Sequence, residues 1–119
     1  MHYAFSDYIS GSGIFAGQPY VCALGTHDNV RSNCMSEPDL LIVSNLTDET
    51  DALSLAQKIS STSNLKDSKV YLYGGALDDV VDHKVVLKNQ EMYDHYGANI
   101  TTQYDIESGH CIPTIDWGV

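Results

Sequence analysis

Two side chains in this sequence have the chemistry to pass a proton between them: Asp78, in Tyr-Gly-Gly-Ala-Leu-Asp-Asp-Val-Val (73–81), and His110, in Gly-His-Cys-Ile-Pro-Thr (109–114). A carboxylate that accepts from one imidazole nitrogen fixes the tautomer and leaves the other nitrogen basic. That is how a hydroxyl nucleophile is activated. Each residue also has a plainer reading, Asp78 as a turn aspartate bonding its own backbone and His110 as a surface-loop histidine. Asp79, adjacent, leaves open which carboxylate has the role. Cys22, Cys34 and His27 could offer three metal-ligand atoms, but they lack paired Cys-x-x-Cys spacing. His2, His27, His83 and His95 sit in no comparable context and are expected on the surface or on helix faces.

The elements that must carry this pair read as alternating strand and helix. Lys69 to Tyr73 is apolar without clean alternation, as a strand covered on both faces of a parallel sheet would be, and Gly74 and Gly75 end it. In open α/β sheets chemistry sits just past the carboxyl ends of strands, which is where Asp78 falls. Asp82 to Tyr96 suits a helix, with Val86, Leu87, Tyr93 and Tyr96 apolar and Gly97 closing it. Asn99 to Tyr104 follows as a strand with Ile100, Thr102 and Tyr104 on one face. The loop from Asp105 to Thr114 then carries His110, and Pro113 directs the chain before Asp116-Trp117-Gly118.

Upstream, Ala4, Phe5, Tyr8 and Ile9 have helical spacing, stopped by Ser10 to Gly13. Ile14 to Ala16 is a short strand. Ser36 with Pro38 has the features of a helix start. Leu40 to Val43 is compatible with strand or helix, and helix is favoured. Asp48 caps an expected helix to Ser63 with a stripe of Ala52, Leu55, Ala56 and Ile59. The pattern gives an α/β fold with about three parallel strands and flanking helices.

Acid before histidine, late in a chain, is the order that follows a serine nucleophile in the α/β-hydrolase fold. With Met-His-Tyr-Ala-Phe-Ser-Asp at 1–7, Gly-Ile-Phe-Ala-Gly-Gln-Pro-Tyr-Val-Cys-Ala at 13–23 and the two segments quoted first, the sequence resembles the poly(3-hydroxybutyrate) depolymerase-like serine esterases along its length. The resemblance implies a partial α/β-hydrolase, with Asp78 as triad acid, His110 as base, and a disulfide between Cys22 and Cys34. It implies a neutral ester or polyester substrate and no cofactor or metal. The family's Gly-x-Ser-x-Gly elbow would precede the segment that Met1 to Ile9 resembles. No such motif occurs here, Gly11-Ser12-Gly13 having the wrong spacing. Residues 1–119 are therefore expected to be one partial domain that does not hydrolyse esters alone. Its strand at Ile14 to Ala16 is expected to present an open apolar edge, open to pairing with another chain. At Cys111 and Ile112 the sequence departs from the family, where an aromatic commonly precedes the proline, and this bears on the shape of the cleft.

Sixteen acidic residues against six basic ones, a net charge of −10, argue against nucleic acid or an anionic membrane as partner. No apolar run approaches the roughly 20 residues that span a bilayer. Met1 to Ala4 does not open a signal peptide, so the extracellular location implied by the resemblance requires a signal upstream. Two glycosylation triplets, at Asn45 and Asn99, agree with a secretory route. Two rival readings stay open: a carbohydrate esterase acting on acetyl or feruloyl groups, and a non-catalytic secreted module.

Overall fold

A computed structural model describes residues 1–115; the segment Asp116-Trp117-Gly118 lies outside the described residues. Three strands, β1 (Gly11–Phe15), β2 (Lys69–Tyr73) and β3 (Asn99–Gln103), form one parallel sheet in that order. Phe15, Tyr73 and Gln103 stand in register across its carboxyl end. Val70 and Leu72 of β2 point into a core with Leu41, Leu46, Val85, Val86, Met92 and Tyr93. The strand is sealed mainly on that face. On the other face Tyr71 is half-buried beside an exposed Phe15, so the expectation of a strand covered on both faces holds only towards its end, at Tyr73.

Helix α3 of the sheet's β2–β3 crossover spans His83–His95. Asp82 caps it by accepting from the Lys84 N–H at 2.8 Å. Val85, Val86, Asn89, Met92 and Tyr93 make its buried stripe, and Leu87, expected among them, is exposed. Gly97 ends the helix at φ +74°, a backbone region that favours glycine.

The β1–β2 crossover departs from expectation. A four-residue α1 (Asp28–Arg31) runs into a π-helical turn, Ser32–Ser36. Ser36 is not a cap but the end of that turn, and Pro38 opens a 3₁₀ turn, Pro38–Leu40. Leu41 and Ile42 are extended, so the run Leu40 to Val43 is not one element: Leu40 ends the 3₁₀ turn and Val43 begins the next helix. Helix α2 then spans Val43–Leu55, placing Asp48 inside the helix and ending well before Ser63. The residues it buries are Val43, Leu46, Thr47 and Thr50, and the Thr50 hydroxyl donates back to the Leu46 carbonyl. That stripe contains two threonines, and it outweighed the capping pattern at Asp48. Of the expected stripe, Ala52, Leu55 and Ala56 are exposed, Leu55 at 86%.

Residues 2–8 form turns rather than a regular helix, and His2, Tyr3 and Ser6 point inward while Phe5 and Tyr8 are exposed. The glycine-serine run that was expected to stop a helix is instead the start of β1. Gly11 is required there, since a Cβ would lie 2.5 Å from the Lys69 carbonyl oxygen. No helix among the described residues is long and apolar enough to cross a membrane.

Candidate active site

The exits of β2 and β3 are tied together one hydrogen bond after another. Gly74 donates to Gln103 at 3.1 Å, Ala76 to Ile106 at 2.9 Å, and Leu77 to Ser108 at 3.1 Å, all backbone to backbone. Two strands that end side by side thus continue as two loops side by side, and the next residue outward on the first loop is Asp78. On the second it is the Gly109–His110 pair.

Asp78 uses its two carboxylate oxygens separately. Oδ1 accepts the N–H groups of Val80 and Val81, each at 2.9 Å, which is the turn expected of an aspartate at this point. Oδ2 lies 2.9 Å from Nδ1 of His110. The plainer reading and the chemical reading therefore apply to different atoms of one side chain. The carboxylate is covered, its side chain 2% exposed, whereas the histidine is 44% exposed. Burial pushes the Asp78 pKa up, but the Val81 N–H, the His110 bond and the Val80 N–H together outweigh it and hold the carboxyl below its ordinary range. An ionised carboxylate only accepts, so Nδ1 of His110 is the donor, which in the neutral ring leaves the lone pair on Nε2. Asp79 is exposed, and its carboxylate is not the one that meets the ring.

Cys22 and Cys34 form a disulfide, with Cα atoms 5.5 Å apart, which removes both thiolates from any zinc site. Among the described residues no three His, Cys, Asp or Glu side chains cluster as metal ligands would. Asn45 is exposed on α2 and Asn99 exposed at the start of β3. Cys111 is half-buried, its N–H donating to the Gly109 carbonyl.

Of the histidines expected on the surface or on helix faces, His2 is on neither. His2 is buried, with Nδ1 at 3.1 Å from both the Tyr93 hydroxyl and the Ser12 hydroxyl. Burial lowers its pKa, against a raising bond at Ile9. His83 is half-buried, edge-on to Tyr104 with ring centres 5.0 Å apart. Sequence reasoning also missed Ser108, which is buried and bonded to Tyr73. The Ser-Gly-His spacing was its only signal.

No established family profile matches the chain. A poly(3-hydroxybutyrate) depolymerase of Delftia acidovorans is 34% identical to it over 121 residues, an alignment that takes in 99% of this chain and 24% of that protein. The chain is thus similar, over nearly its whole length, to part of a poly(3-hydroxybutyrate) depolymerase. Two solved structures share its fold, a PHB depolymerase from Penicillium funiculosum and a PHB depolymerase variant complexed with an R3HB trimer. Each superposes with a TM-score of 0.72 at 24% identity, covering 90% of this chain and 33% of its own. The chain spans 24% of the length of the Delftia acidovorans relative and 33% of each solved structure it matches.

Proposed function

We propose that this chain supplies the acid and base of a serine carboxylic-ester hydrolase, working on a nucleophile that lies outside these 119 residues. The observation that carries the reading is the 2.9 Å contact between Oδ2 of a covered, ionised Asp78 and Nδ1 of His110. With Nδ1–H held by the carboxylate, Nε2 takes the proton of a serine hydroxyl as that oxygen attacks the ester carbonyl. The imidazolium then returns the proton to the departing alkoxide, and water repeats the cycle to release the acid. Asp78 stays ionised throughout and stabilises the imidazolium by its charge.

The substrate class we infer is a neutral ester, with a polyester of the poly(3-hydroxybutyrate) type the first choice, because the Delftia acidovorans relative carries that name. A chain of net charge −10 suits an uncharged polymer better than an anionic one. The disulfide fits an oxidising, extracellular setting. The outer edge of β1, unpaired among the described residues, is where we place the next strand of the complete sheet.

The serine and the backbone N–H that follows it, half of an oxyanion hole, are assigned to the complementary part, and losing either costs orders of magnitude in rate. The purified 119-residue chain is therefore expected to leave a p-nitrophenyl butyrate solution at its background hydrolysis rate. Turnover above background that disappears in His110→Ala would overturn the claim that the nucleophile lies elsewhere.

A further inference from the structure

Nothing in the Asp78–His110 pair explains by itself why the histidine loop stays in place. His110 sits in a stretch without helix or strand, and it is 44% exposed. Two residues before it, Ser108 is 2% exposed, an unusual position for a polar side chain in a surface loop. Its hydroxyl lies 2.6 Å from the phenol oxygen of Tyr73, the last residue of β2, which is also 2% exposed. Tyr73 is rigid on its own account. Its carbonyl accepts from Ala16, its ring lies 5.2 Å from that of Phe15, and its strand is flanked on both sides.

Between these two hydroxyls and Asp78 stands Gly75. A Cβ there would lie 2.3 Å from the Ser108 carbonyl oxygen, 2.7 Å from its hydroxyl and 2.8 Å from the Gly109 carbonyl oxygen. The histidine loop is thus pressed onto the bare backbone of the aspartate loop, with the Ser108 carbonyl held by Leu77 N–H and the Ser108 hydroxyl by Tyr73.

The geometry points to Tyr73 and Ser108 as positioning residues that, across Gly75, lock the His110 loop against Asp78. This rests on the acid–base reading of the pair given above. The phenol comes from the sheet and the serine from the loop, so the bond transfers the rigidity of β2 to a segment with no regular structure of its own. A buried hydroxyl pair that loses one partner leaves the other unsatisfied, and the strain falls two residues from the imidazole. Neither residue touches the reacting atoms. Their effect is read in the state of the His110 ring.

NMR of the full ¹⁵N-labelled chain tests this through the ring nitrogens of His110. The wild-type ring is expected as the Nδ1–H tautomer with a slowly exchanging Nδ1 proton, and Asp78→Asn should abolish that signature. Tyr73→Phe and Ser108→Val should lose the Nδ1 proton signal while keeping the wild-type far-UV circular dichroism, and Ser108→Thr, the same shape with a hydroxyl, should retain it. The double variant Tyr73→Phe/Ser108→Val should be no worse than either single change, since both remove one bond. Wild-type ring spectra in both folded single variants overturn the proposal. If Tyr73→Phe fails to fold, the Val and Thr pair at position 108 decides the matter; if both of those fail, Tyr73→Phe does. Should Asp78→Asn leave the ring unchanged, the pairing with His110 is what fails, and that outcome is separate from any failure of the Tyr73–Ser108 bond.

Discussion

Removing the carboxylate of Asp78 strands three donors at once, the N–H groups of Val80 and Val81 and the Nδ1–H of His110. Asp78→Ala is therefore expected to destabilise the chain by about 1 kcal/mol, the net worth of an intramolecular hydrogen bond, since Val80 and His110 are exposed and water can take over their donors. Asp78→Asn keeps an oxygen for the two backbone donors and should cost less. Urea unfolding at pH 7 separates the two. Because the folded pKa of Asp78 lies below its unfolded value, near 3.9 for a free aspartate, its contribution is present above that value. It is lost as pH falls through the folded value. The stability gap between wild type and Asp78→Ala should accordingly close on acidification below about pH 4, and a gap that widens there would contradict the assigned ionisation. At this scale the sequence singled out both side chains of the contact, Asp78 by its place behind a double glycine after an apolar strand and His110 through the resemblance, their catalytic role remaining the proposal. Ser108 was not, since nothing in a Ser-Gly-His triplet says that the serine is buried.

Elements were legible in proportion to how clearly one face was apolar. Strand β2 and helix α3 emerged with bounds close to those expected, since Val86 and Tyr93 of the expected stripe are buried, although Val85 and Met92 stand in the core where Leu87 was expected. Helix α2 did not, because its buried face uses Thr47 and Thr50, whose hydroxyls bond backward within the helix and so behave as apolar surface. The difference is measurable with one residue type. Asp82→Ala should cost about 1 kcal/mol, as loss of an N-cap does, whereas Asp48→Ala, inside α2, should stay within about 0.5 kcal/mol of wild type. Equal and large losses at both positions in urea titrations would favour the helix start that sequence alone suggests.

For the whole molecule, the disulfide is the main covalent constraint on a long crossover that carries little regular structure before α2. Cys22 and Cys34 are 12 residues apart, and closing a loop of that size contributes about 3 kcal/mol on chain-entropy grounds. The double substitution Cys22→Ser/Cys34→Ser should lower stability by that order, seen as a lower urea midpoint with a slope no smaller than wild type, because the unfolded chain without the cross-link is less compact. The parallel sheet and the disulfide were both legible from the resemblance. The uneven cover of the sheet was not, because an unbroken apolar run reads the same whether its second face meets protein or solvent.

On the proposed reading, Asp78 and His110 act as one unit on a hydroxyl carried elsewhere. Grafting this chain into the Delftia acidovorans depolymerase, in place of the segment it matches, and measuring kcat for ester hydrolysis puts the pair to the test. We predict an active chimera in which His110→Ala and Asp78→Asn each cost several powers of ten, with the double variant no slower than His110→Ala alone, as for residues that share one step. An active chimera indifferent to His110→Ala, or one in which the two losses multiply, would contradict it.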